Sequence, residues 1–169
     1  HDEIDRIIIP LSKKLPEHSI IKLRVNKLRH KIYGIKYHLD NFKKNEDDEI
    51  TKFNSDYEGP NHEYHVDKPK LHYELEAFLF QIKSSLDVLS QIIGIVYGFT
   101  TPLYEKSGDV LIRALGNVKK ENQLEANALA QVLINHKKWV SDTIDMRNEV
   151  THFSDLTGYM SFLHHPWLG

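Results

Sequence analysis

Residues 20–43 read IIKLRVNKLRHKIYGIKYHLDNFK, and the spacing of their apolar members decides the fold. Ile21, Val25, Leu28, Ile32, Ile35, Leu39 and Phe42 are separated alternately by four and three residues. That is the seam of a bundle helix, sustained for about six turns. Gly34 lies off the seam and costs about 1 kcal/mol of helix propensity, which so long a pattern absorbs. The helix is expected to open near Pro16-Glu17, a first-turn proline with an acidic neighbour.

Working outward, residues 45–68 carry Gly59-Pro60, Asn54, Asn61 and an acidic run without sustained period, and read as a long connection. A second long helix is expected from about Pro69 to Tyr97, stopped by Gly98. Its stripe is Leu71, Leu75, Phe78, Ile82, Leu86, Leu89, Ile93 and Val96. After a break at Thr100-Thr101-Pro102, a short helix should cover Asp109 to about Leu115 and end at Gly116-Asn117. A third long helix follows from about Glu121 to Thr151 or just beyond, leaving a tail from about residue 156 without a convincing period. No segment reads as a strand. The expectation is a single domain over 1–169, an all-α antiparallel bundle of three long helices and a shorter one.

The chain has 169 residues, 40% of them hydrophobic and 27% charged, enough to bury a full core. With no Cys there are no disulfides, zinc–thiolate sites or thiol nucleophiles. The lack of Cys, the lack of a signal-peptide pattern, and the absence of about 18 consecutive apolar residues point to an intracellular, cytoplasmic protein without a membrane span. The chain opens with His1 rather than Met, which suggests a trimmed start. Its net charge of −2 hides an asymmetry. From Lys13 to Lys44 ten Lys or Arg face only Glu17 and Asp40, and Glu46, Asp47, Asp48 and Glu49 follow.

Near the end of the last helix stands Arg147-Asn148-Glu149-Val150-Thr151-His152. Leu129, Leu133, Val140 and Ile144 mark that helix's inward stripe, and Arg147 falls within about 20° of its centre. Burying an unpaired guanidinium costs several kcal/mol or more, so either it meets a partner or that end of the bundle opens into a polar site. Arg147 and His152 stand about 140° apart around the axis, whereas Asn148 and His152, at i and i+4, share a face. Three arrangements unite the groups: Arg147 curls toward Asn148, the helix bends or ends between them, or a second copy of the chain supplies the missing half. Such groups suit phosphodiester cleavage, with the histidine moving a proton, the arginine steadying phosphate and the amide positioning either. The same spacing also suits a helix-terminal Arg and His paired with Asp142, Asp145 or Asp155.

The segment resembles the R-x(4–6)-H signature of the HEPN superfamily (higher eukaryotes and prokaryotes nucleotide-binding domains), in which a polar residue typically follows the arginine, here Asn148. The layout is similar too: a small all-α bundle with the motif on a late helix, and Glu74 to Asp87 like a long core helix of such proteins. The match covers about Ile20 to Ser154. The resemblance implies a metal-independent, cofactor-free endoribonuclease of the toxin or defence kind. It would act as a homodimer on RNA, under an antitoxin or other regulatory protein, with Arg147, Asn148 and His152 as its catalytic residues. The intact motif favours catalysis, and the alternative that the superfamily offers is a non-catalytic module that binds a nucleotide or a partner protein. The acidic or polar auxiliary residue that some families place on another helix is not identified. Asp87 is available, about 140° from Ile82 and so off the inward stripe.

Lys22, Arg29, Lys36 and Lys43 recur every seven residues with Arg24, Lys27 and Lys31 beside them, a basic stripe that could follow an RNA backbone or simply be a solvated face. No aromatic interleaves with this stripe. As metal ligands the histidines are weak. His62-Glu63-Tyr64-His65 is one residue short of H-E-x-x-H, and Glu149-Val150-Thr151-His152 lacks the second Glu-x-x-His that a di-iron bundle needs. A metal-dependent bundle would need His30, His38, His136, His164 or His165 to converge with His152. His136, about 40° from Val140, is expected in the core as a hydrogen-bonded histidine.

Overall fold

The computed structural model describes residues 19–56, 68–100, 103–105 and 107–152, and every long element among them is helical. Helix α1 spans Ile20–Asp56, α2 Lys68–Tyr97, α3 Asp109–Gly116 and α4 Gln123–His152, the last led in by one 3₁₀ turn at Lys120–Asn122. The described residues are all-α, with three long helices and one short one.

The start expected at Pro16-Glu17 lies outside the described residues. Within them Ser19 caps α1: its Oγ accepts the Lys22 N–H at 3.1 Å. The other end of α1 departs from expectation, because the helix runs on through the acidic run to Asp56 instead of stopping near residue 45. The reason is visible at Asn45 and Glu49, which are buried although polar. They stand at i and i+4 and continue the inward face with side chains that a count of apolar residues passes over. Glu49 keeps its charge answered by Lys52 at 2.6 Å.

Helix α2 ends as its sequence dictates. Gly98 adopts φ +74°, and the Phe99 N–H donates to the Gly94 carbonyl at 2.9 Å, the six-to-one bond of a Schellman turn. Its burial is broader than the expected stripe. Leu71 and Ile93 are buried as anticipated, but so are Leu79, Val88 and Ser90, while Val96 is exposed. The cause is position: α2 packs on α1 along one face and on α4 along another, so no single stripe describes it. By length and composition Pro69–Tyr97 also passes as a possible membrane span, against the expectation of none, although core helices of soluble proteins pass the same test. Two of its charged residues have local roles. Lys83 pairs with Asp87 at 2.6 Å, and Asp87 Oδ1 accepts the Tyr104 N–H at 2.7 Å, tying α2 to the connection that follows.

The α1–α2 pair is antiparallel. Arg24 meets Gln91, Gly34 meets Gln81 and Asn41 meets Glu74, so α1 advances in step as α2 recedes. Gly34 is therefore at the interface rather than idle. A Cβ there would lie 3.0 Å from Gln81 Cδ, so the missing side chain lets the helices approach. The seam residues of α1, from Ile21 to Phe42, are only half-buried. The dry core lies elsewhere, where Ile93, Tyr104, Leu111, Leu115, Ala126, Leu133, Val140 and Ile144 close between α2, α3 and α4. Gly108 opens α3 at φ +67°, and a Cβ there would strike the Tyr104 hydroxyl. Asp109 begins the helix beside its positive end, bonded to Ser107 and, at 2.7 Å, to Lys137 of α4. Those hydrogen bonds, that from Lys137 foremost, hold the Asp109 carboxyl below the usual aspartate range.

Candidate functional site at the end of the last helix

The inward stripe of α4 forms as expected, with Leu133, Val140 and Ile144 buried and Leu129 packed against the core. Arg147 follows it into a half-buried position, and Val150, one turn on, is buried too, so the inward face persists to the end of the helix. α4 is continuous through His152 and does not end between the arginine and the histidine. Thr151 Oγ1 donates to the Arg147 carbonyl at 2.8 Å and finishes the last turn.

Of the arrangements that could unite the groups, the structure displays the curled arginine. Arg147 Nη1 donates to Asn148 Oδ1 at 2.9 Å, bridging the side chains of consecutive residues. Asn148 is itself half-buried. Arg147 Nε is shielded from solvent and has no hydrogen-bond partner among the described residues. Among the described residues no carboxylate pairs with the guanidinium. Asp142 is taken by Lys138 at 2.7 Å, and Asp155 lies outside the described residues. The site thus holds a cation that is partly withdrawn from water and answered by a neutral amide. Asn148 and His152 occupy one face of the helix by register. The His152 side chain, like the tail from residue 153, lies outside the described residues.

Asp87 is committed to Lys83 and the Tyr104 N–H, on the side of α2 that meets the loop before α3. The basic stripe is present on α1 with Lys36 and Lys43 exposed and Lys22 and Arg29 half-buried. Lys36 is paired with Asp40 at 2.6 Å, and Arg29 lies over the Tyr33 ring at 5.3 Å while its Nε donates to the Tyr33 hydroxyl. Arg24 and Lys31 do not flank this stripe. They turn toward α2, Arg24 to Gln91 and Lys31 over Phe80.

Among the described residues no group of three His, Asp or Glu is placed to hold a metal ion. His136 is exposed rather than buried, and its Nδ1 accepts the Trp139 indole N–H at 3.0 Å. Its angular offset from Val140 carries it past the sector that the neighbouring helices cover. His38 is engaged elsewhere, its Nδ1 joined to Glu74 at 2.7 Å, with Asn41 donating to the other carboxylate oxygen at 3.3 Å. The sequence signal for this His–Glu–Asn cluster is slight: His38 and Asn41 border the α1 seam. His62, His65, His164 and His165 lie outside the described residues. No family model, curated protein or solved structure matches the chain.

Proposed function

We propose that this chain is a HEPN-like, metal-independent endoribonuclease of the toxin or defence kind. In this reading it works in the cytoplasm as a homodimer restrained by an antitoxin or another regulatory protein. The observation that carries the reading is the state of Arg147, half-buried on the motif helix, hydrogen-bonded to Asn148 and unneutralised by any described carboxylate. A guanidinium partly withdrawn from water is costly to leave without an anion. A phosphodiester supplies that anion in bidentate geometry. His152 takes the proton from the ribose 2′-hydroxyl, and the 2′-oxygen bonds to the adjacent phosphorus. The phosphorus–5′-oxygen bond breaks, the 5′-oxygen is protonated, and the products carry a 2′,3′-cyclic phosphate and a 5′-hydroxyl. Arg147 stabilises the charge on the non-bridging oxygens, and Asn148 fixes the direction of the guanidinium. In this reading two copies of the motif meet in one composite cleft, each bringing its Arg147 curled onto Asn148. Lys22, Arg29, Lys36 and Lys43 guide the RNA backbone, and the exposed Lys36–Asp40 pair costs little to open.

The test is incubation of the purified protein with RNA in EDTA. Wild type should cleave and leave cyclic-phosphate ends, and an Arg147→Ala, His152→Ala double variant should not. Cleavage that persists in a pure double variant would falsify the assignment. Binding of RNA or nucleotide by wild type without any cleavage would make the domain a binding module.

A further inference from the structure

Three aromatic rings stand in water on α1 and α2: Tyr37 is 62% exposed, Tyr73 68% and Phe80 51%. Single exposed aromatics need no explanation, but these share one flank of the helix pair. Tyr73 and Phe80 are seven residues apart, on one face and about 10.5 Å from each other along the axis. The antiparallel register set by Gly34–Gln81 and Asn41–Glu74 puts Tyr37 opposite Phe78, within about 7.5 Å of both along the axis. Tyr37 follows Gly34 by three residues and precedes Asn41 by four, so it leaves α1 on the side where those two meet α2.

The rings are held as well as exposed. Tyr37 stands edge-on to His38 at 5.2 Å, and His38 is bonded to Glu74, the neighbour of Tyr73. Tyr73 stands edge-on to His72 at 6.1 Å. The Lys31 ammonium lies over the Phe80 ring at 5.9 Å. Lys27 and His30, one heptad before Gly34 and Tyr37, are exposed and extend the cationic character of the flank. The nearby carboxylates are engaged: Glu74 by His38 and Asn41, Asp40 by Lys36, Asp87 by Lys83.

By the same register Lys31, His30 and Lys27 continue the row beyond Phe80, and flat rings in a row continued by cations suit unstacked bases and the phosphates that follow them. We propose that this flank, Tyr37, Tyr73 and Phe80 with Lys27 and Lys31, is a stacking platform for single-stranded nucleic acid, distinct from the basic stripe and from the Arg147 site. It goes beyond the ribonuclease reading and does not depend on it.

The experiment measures anisotropy of a labelled uridine oligonucleotide against the full chain carrying Arg147→Ala, so that binding is read without cleavage. Tyr37→Ala and Phe80→Ala should each weaken binding about tenfold, the scale of one lost base–aromatic stack. Tyr37→Phe should retain it, Phe80→Leu should not, and Lys31→Gln should flatten the salt dependence by somewhat under one unit of log–log slope. A deoxyuridine oligonucleotide shows whether the platform distinguishes RNA from DNA, and binding to either supports it. Thermal melting should be unchanged in all variants, since the rings are exposed. Equal affinity in the alanine variants, or equal affinity for a duplex, overturns the proposal. So does loss only of self-association or of liposome binding, which would make the flank a protein or membrane surface.

Discussion

Between α2, α3 and α4 the packed side chains include Ile93, Leu111, Leu115, Leu133, Val140 and Ile144, with the Asp109–Lys137 pair at their solvent-exposed edge. Between α1 and α2 the contacts that fix the pairing are Arg24–Gln91, Gly34–Gln81 and the His38–Glu74–Asn41 cluster, flanked by apolar residues that stay half-buried. The first region is held by area removed from water, which is large but indifferent to register. The second adds polar partners, and a one-heptad slip of α1 would unpair every one of them at once, so it specifies alignment. Arg147 belongs to the helix of the first region, which gives a motif residue a rigid base. The aromatic flank belongs to the second, where polar contacts orient the rings.

The comparison can be broken most forcefully in the dry core. Leu115 is fully buried, and Leu115→Ala should cost about 2–5 kcal/mol in chemical denaturation. A loss below about 1 kcal/mol would mean that this core does not carry the fold. Next comes the polar pairing. Glu74→Ala leaves His38 and Asn41 without their acceptor and should cost about 1–3 kcal/mol. Replacing His38 and Glu74 together by Leu should recover most of that stability but loosen the alignment, seen as broadened resonances across α1. If the double variant is as well ordered as wild type, the pairing does not specify register.

Gly34→Ala sets about 1 kcal/mol of helix propensity against a contact of 3.0 Å with the flexible Gln81, so it should shift stability by less than about 1 kcal/mol. A larger loss would show that the helices are closer and stiffer there than the contact implies. The smallest effect is at Asp109. Its carboxyl titrates lower in the folded protein than in the unfolded chain, through the Lys137 and Ser107 hydrogen bonds. Its contribution is therefore present above the ordinary aspartate range and fades as pH falls below about 3.8 toward the folded value. Asp109→Asn should flatten the acid limb of a plot of melting temperature against pH, and an unaltered limb would contradict this account.

The termini of α2, α3 and much of α4 were legible because Gly98, Asp109 and Gly116 act locally, through backbone conformation and helix ends. The end of α1 was not. Asn45 and Glu49 face inward, and a reading that follows apolar residues stops where the inward residues become polar. His136 failed for a related reason: angle alone does not say how wide a sector the neighbours cover. At the candidate site the inward placement of Arg147 and its reach to Asn148 were readable from helical arithmetic. The His38–Glu74 bond, spanning 36 residues, depends on how α1 and α2 align, and that alignment is tertiary.

The most direct measurement compares one short RNA with its counterpart carrying a single 2′-deoxynucleotide 5′ of the cleaved bond, both incubated with wild-type protein in EDTA. Attack by the 2′-hydroxyl with Arg147 steadying the phosphate predicts cleavage of the RNA and none at the deoxy position. Cleavage at the deoxy position, or none of either substrate by correctly folded protein, would contradict it.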